Sequence, residues 1–344
     1  MAISFPDTRQ HLDELAVNFL WRQWSSIGVA GGARSSDTWM IDPEALVLAT
    51  SRYGRHDPRL MDESLDWLAR NGLRINVLRL RSLDQAWPGV ADGRVLAAIS
   101  GILGKQSVLR KWRDLGQPAS SDAEPEPLFY SAKGGYLPVL GEPDPTFQAA
   151  GLLRGAVEHR GMSKAPDARV SGNLIFLLRS LFGVNARAEI FAWLLVHGSG
   201  NPTAIARDTG YFFKSVQLTL NELEESCQIL SSRQGREKIY RVPADSWHFL
   251  LAPHGSAKDE RVFPVWLDWM PVFAILTRLS ETLAIPGLDE KSESFQAIKF
   301  RDALESLQPA IDRVAVAHGW RTTPDLRGAG LIQSLLADLD SLLD

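Results

Sequence analysis

Between Gly116 and about Gly172 the chain places prolines at 118, 125, 127, 138, 143, 145 and 166, together with the pair Gly134-Gly135. Proline lacks the N–H a helix ladder needs and its ring crowds the preceding turn, so no regular helix runs through this stretch. The sequence is thereby cut into helical text on either side of a connector. At roughly 100 to 200 residues per domain, 344 residues suit two or three folded units. The expected division is a helical N-terminal domain over 1–115, the Pro/Gly-rich connector over 116–172, a second helical unit with a hairpin over 173–252, and a helical C-terminal region over 253–344. Leu128, Phe129, Tyr130, Tyr136, Leu137 and Phe147 give the connector apolar area, which argues for a strap lying on folded domains.

Two helix starts are written as Asp42-Pro43-Glu44 and Asp57-Pro58. In each, Asp can accept from free first-turn amides, and Pro sits where its missing N–H costs nothing. Leu60, Ser64, Leu65 and Leu68 recur at helical spacing, and Asn71-Gly72 offers a residue tolerant of positive φ to stop that helix. More helix is expected over 93–113. Beyond the connector the pattern predicts helices at about 173–182, 186–197, 202–209 and 213–226, a β-hairpin at 229–242, and helices at about 263–283, 293–317 with a break at Pro309, and 324–342.

Composition narrows the function classes. Hydrophobic residues at 45% and charged residues at 23% describe a folded protein. The single cysteine, Cys227, excludes an internal disulfide and every multi-cysteine metal site, and it reads as a small core residue. No run reaches the length of a membrane span, and Asp7, Arg9, Asp13 and Glu14 interrupt any leader-like stretch, so a cytoplasmic location is expected. The seven histidines show no HExxH or HxH spacing, no catalytic dyad can be nominated, and the expectation is no enzyme, no metal and no cofactor. The glycine-rich stretches at 28–32 and 101–105 complete no phosphate-binding pattern and read as turns; the cations near His159 read as a solvated linker, and Trp266 and Trp269 as core or dimer contacts. Charge is asymmetric within a net of −4: nine Lys/Arg against two Asp over 67–113, but nine basic against fourteen acidic residues over 255–344. Such a basic segment suits an anionic partner such as nucleic acid, or equally the acidic half of its own chain or of a second copy.

The informative stretch is 186–242. Asn201-Pro202 starts a helix through Thr203-Ala204-Ile205-Ala206, and Thr209-Gly210-Tyr211 is a tight corner in which glycine can take positive φ. On the next helix Val216, Leu220 and Leu223 form the buried stripe, turning Lys214, Gln217, Leu218 and Asn221 outward. In the hairpin, Gln234-Gly235 makes the turn, Tyr240 and Val242 share the inner face, and Arg233, Arg236 and Lys238 remain for a phosphate backbone.

These residues resemble the winged helix-turn-helix superfamily of prokaryotic transcription regulators, in a form close to the MarR- and ArsR-like groups, over about 60 residues, or some 75 if the helix at 173–182 is included. The matching residues are 202–206 for the second helix, 215–217 and 220–224 for the recognition helix, and Gly235-Arg236-Glu237-Lys238-Ile239-Tyr240-Arg241-Val242 for the wing. The resemblance implies a mainly α fold with a central winged helix-turn-helix and a small β-hairpin wing. It also implies a DNA-binding transcription regulator, a homodimer on double-stranded DNA paired through its C-terminal helices. Lys214, Gln217 and Asn221 would read the major groove, while Ser215, Arg233, Arg236 and Lys238 hold phosphates and Thr203 joins them from the second helix. The chain departs from the pattern at Phe212, Phe213 and Leu218, where small polar or basic residues are usual, and 185–242 carries a balance of only +1. Either the basic segment at 67–113 supplies the missing phosphate contacts, or the module is a protein-interaction adaptor or antitoxin-like partner that presents those three apolar residues to protein.

Overall fold

Serine, aspartate and asparagine caps set most of the helices in the computed structural model, which describes residues 4–31, 39–116, 124–131, 134–251, 263–322, 326 and 328–343. Gly32, Pro118, the 252–253 boundary and residues 324, 325 and 327 of the expected last helix lie outside them. The protein is mainly helical with a small antiparallel sheet.

The N-terminal part contains α1 (Phe5–Ser26), α2 (Pro43–Tyr53), α3 (Pro58–Asn71), α4 (Val77–Ala86) and α5 (Gly93–Leu103). Ser4, Asp42, Asp57, Asn76 and Asp92 cap them in turn, each side-chain oxygen accepting from a first-turn amide. Two details differ from expectation. Gly72 keeps right-handed φ, at −59°, and runs on into a 3₁₀ turn, because the stop is made by packing: the Trp112 indole donates to its carbonyl at 3.1 Å. The helix expected over 93–113 ends at Leu103 and resumes only as a 3₁₀ turn at Ser107–Trp112.

The connector holds one short helix, α6 (Pro145–Ala149), and a two-residue parallel pair, β1 (Glu126–Pro127) with β2 (Leu152–Leu153). Leu128, Phe147 and Leu152 are fully buried, so this strap is part of the core. There follow α7 (Leu174–Phe182), α8 (Ala186–His197), β3 (Ser199–Gly200), α9 (Pro202–Thr209), α10 (Phe213–Glu225), β4 (Leu230–Gln234) and β5 (Glu237–Arg241). The sheet order is β3-β5-β4, all antiparallel, with Gly200 opposite Tyr240 and Arg233 opposite Lys238.

The C-terminal part is α11 (Trp269–Leu283), α12 (Glu293–Glu305), α13 (Gln308–His318) and α14 (Gly328–Leu343). The break near Pro309 occurs as expected, whereas the helix expected from 263 starts only at Trp269, because residues before it are extended and Val265 bridges Trp39 in parallel. Trp269 is core and Trp266 packs against the His197 ring at 5.3 Å. Buried apolar residues from Phe5 to Leu343 form one connected cluster. No helix among the described residues is long and apolar enough to cross a membrane.

Candidate functional site

The α9–α10 corner is built as its residues dictate. Asn201 Oδ1 accepts from Ala204 N at 2.8 Å to start α9, and Gly210 closes it with φ of 75°. A Cβ at Gly210 would lie 2.6 Å from Leu83 Cδ2 of α4, so both conformation and space exclude a side chain there. Val216, Leu220 and Leu223 face inward as the spacing predicts. Lys214, Ser215, Gln217, Leu218 and Asn221 are exposed on the other side, and Thr203 is exposed on α9. Phe212 makes no side-chain cap, so no hydroxyl or carboxylate of the cap residue accepts from the first amides of α10.

The hairpin closes on the far end of α10. Tyr240 is buried and its hydroxyl donates to Asn221 Oδ1 at 3.1 Å, while Glu224 takes Lys238 Nζ at 2.5 Å and the Ser231 hydroxyl. By the strand register Lys238 and its partner Arg233 share the face of Tyr240, and of the three expected wing cations Lys238 is the one bonded to the helix, through Glu224. The Lys238 hydrogen bond holds the Glu224 carboxyl below its ordinary range. Arg233, Arg236 and Arg241 are exposed and form no ion pair among the described residues. Asn221 keeps its amide nitrogen for another partner, with its oxygen engaged. Cys227, expected in the core, is exposed and takes φ of 60°, because it carries the turn from α10 into β4.

Near the start of α10 lies a buried ion network that sequence spacing does not reveal. Arg79 on α4 binds Asp42 at 2.5 Å and Glu44 at 2.7 Å, and its Nε donates to the Thr209 carbonyl at 2.7 Å. Arg179 on α7 binds Glu44 at 2.7 Å and also Glu189 on α8. Asn76 Nδ2 donates to the Tyr211 hydroxyl at 2.6 Å. Burial opposes charge on Asp42, yet the adjacent Arg79 holds its carboxyl below the usual value; for Glu189 burial wins and the pKa rises. Burial likewise pushes the Tyr211 hydroxyl up. The corner of α9–α10 is therefore fastened to α2, α4, α7 and α8 by charge-assisted bonds.

Apart from Arg79, the basic segment stays largely on the surface. Lys111 Nζ donates to the Ile75 carbonyl at 2.6 Å and to Leu73, Arg81 to the Arg113 carbonyl, and Arg113 to Gly104. Carbonyl bonds orient these cations without neutralising them. Among the described residues no residue of 67–113 pairs with an acid of 255–344. Ile75, which accepts from Lys111, precedes Asn76, whose side-chain amide donates to the Tyr211 hydroxyl ahead of α10. Among the described residues no group of three His, Cys, Asp or Glu is placed to hold a metal ion. Compared with known proteins, the chain matches no family model, no curated protein and no solved structure.

Proposed function

We propose that α8 to α10 with the three-stranded sheet act as a winged helix-turn-helix that binds double-stranded DNA, making the protein a transcription regulator. The observation that carries this reading is the setting of α10: its outer face is uncovered, with Arg233 and Arg236 exposed beyond its last turn. Lys214, Gln217 and Asn221 then meet base edges, with Ser215, Thr203, Arg233 and Arg236 at phosphates. Lys238, occupied by Glu224, contributes to the shape of the wing more than to its charge. The protein acts as a homodimer in this reading, because one recognition helix spans only a few base pairs. Exposed Phe295, Ile298 and Val316 on α12 and α13 are the available apolar pairing surface, since α11 is buried in its own core.

Mobility shift of random 30-base-pair duplexes (about three helical turns) at two salt concentrations tests this. Arg233→Ala with Arg236→Ala should weaken binding evenly over sequences and reduce the salt slope by about one to two units. Absence of any shift at low salt sinks the reading, and an unchanged slope removes the wing from the interface.

A second reading rests on Phe212, Phe213 and Leu218, which are 79%, 48% and 61% exposed around the start of α10. Large apolar groups clustered there suit a protein partner better than a groove of hydrogen-bonding edges. Phe212→Ser separates the two, because it should abolish capture of a protein partner and leave the DNA salt slope intact.

A further inference from the structure

A second concave site lies away from α10, between α1, α2, the start of α5, α11 and the strap. It is a cavity of about 550 Å³ whose wall includes Arg9, Arg52, Arg55, Arg94, His56 and Tyr130. That volume falls in the range of sites that enclose small organic ligands.

The wall is rich in guanidinium groups that its own acids do not fully match. Arg55 is almost wholly buried and completely engaged, with Asp92 at 2.8 Å, Glu126 at 2.8 Å and the Leu128 carbonyl at 2.9 Å. Arg94 shares the same two acids. Arg52 and Arg278 divide one carboxylate, Glu281, at 3.1 and 3.3 Å. The Nε of Arg52 is buried with no hydrogen-bond partner among the described residues, and Arg9 is exposed with no ion pair among them. The remaining acid in the wall is Asp13, which accepts from the Ser280 hydroxyl at 3.3 Å and lies 3.8 Å from His56. Burial pushes Asp13 up from the ordinary carboxylate value, against the pull of nearby His56, Arg9 and Arg52, and pushes His56 down. The guanidinium groups of the wall least engaged by a carboxylate at contact distance are therefore Arg9, which has none among the described residues, and Arg52, which shares Glu281.

One side of the same cavity is aromatic. Tyr130 lies 4.4 Å under the Arg55 guanidinium, 4.9 Å from the His56 ring and 5.4 Å from Tyr136, on which it stacks at 25°. A neighbouring groove of about 670 Å³ continues from Arg9, Asp13, His56 and Tyr130 toward Gly134, Gly135 and Tyr136. Arg55, His56 and Tyr136 already engage the Tyr130 ring, so the flat surface open beyond an anion at the guanidinium end is that of Tyr136, which is 44% exposed.

We propose that this cavity binds a small ligand in which one oxyanion is joined to a planar ring, the chemistry of a nucleoside 5′-monophosphate. The oxyanion is held between Arg52 and Arg9, whose free guanidinium suits bidentate contact, and the ring lies past Tyr130 against Tyr136. This assignment is independent of the DNA-binding reading, because its readout is ligand binding to the protein alone.

Isothermal titration of the full chain with AMP, GMP, CMP and UMP, and with inorganic phosphate and adenosine as half-ligands, tests the proposal. At least one mononucleotide should bind tenfold or more tightly than either half. Arg9→Glu should weaken that binding at least tenfold, Arg52→Ala likewise, and Arg9→Lys, which keeps the charge but loses the fork, should lose less than Arg9→Glu. Arg9 is exposed, so its variants test the site even where Arg52→Ala disturbs folding. No binding of any mononucleotide, binding indifferent to Arg9→Glu, or phosphate alone binding as tightly as the mononucleotide would each overturn the assignment.

Discussion

Arg179 is the residue on which the interior electrostatics turn. It enters a nearly dry site to pair with Glu44 and Glu189; Glu44 is also held by Arg79 and by the Asn76 backbone amide. Removing one partner of a buried pair leaves the other uncompensated, at about 3–5 kcal/mol. Arg179→Met should therefore lower urea stability by that order, whereas Glu189→Gln should cost clearly less, because burial already raises the Glu189 pKa toward the neutral form. Equal losses for the two would contradict this picture. Asp13 makes a pH prediction with a definite sign. Its folded pKa lies above its unfolded value, so the native state holds more protons between the two. Its contribution is most favourable below about pH 4 and is lost as pH rises through the folded pKa. The stability of Asp13→Asn relative to the unsubstituted protein should accordingly grow between about pH 4 and pH 7 in paired urea titrations; a constant difference would remove Asp13 from the titrating groups. Neither residue could be singled out by sequence, since Glu44 and Arg179 are 135 positions apart and only the packed chain brings them together.

Among the elements, α9 and α10 were the most legible, because their instructions are local. Asn201-Pro202 writes the start, Gly210 the corner, and Val216, Leu220 and Leu223 the inward stripe. Gly210→Ala should destabilise by about 1–3 kcal/mol in thermal or urea unfolding, combining a strained positive φ with a methyl pressed against Leu83; retention of full stability would mean that the corner can open away from α4. The adjoining strand β3 was not legible. His197-Gly198-Ser199-Gly200 reads as a loop, and its pairing with Tyr240 and Arg241 is created by the return of β5. What requires glycine at 200 is the Trp193 ring, 2.3 Å from where a Cβ would stand, so Gly200→Val should displace Trp193 and loosen the β3–β5 edge. Near-ultraviolet circular dichroism would report that loss as a weakened tryptophan signal. Helix α1 shows a different limit. Leu12, Leu15, Ala16 and Phe19 recur at helical spacing, yet their docking site on α11, where Phe19 meets Trp269 at 5.3 Å, lies at the other end of the chain.

At the scale of the whole molecule, the Pro/Gly-rich connector breaks the helices without breaking the core. Leu128, Phe147 and Leu152 from the strap enter the same apolar cluster as α1, α2 and α11, and Tyr53 on α2 donates to or accepts from Thr277 on α11 at 3.2 Å. His11 on α1 meets Asp340 on α14 at 2.7 Å, so the last helix lies back on the first. Helix α2 is buried along its length and has different neighbours at its two ends: the Arg79 network fastens it to the α9–α10 corner, and Arg52 and Tyr53 line the cavity. Elements so shared are not expected to unfold separately, because opening one exposes apolar area belonging to the others. A fragment ending at residue 251 should therefore fail to hold its native helix content, since loss of α11 uncovers Phe19, Tyr53 and much of α2. Far-ultraviolet circular dichroism of that fragment, compared with the full chain during urea unfolding, decides the matter. A fragment with native helicity and its own sharp transition would show that α11 to α14 are an appendage, and the single transition expected for the full chain would then split in two.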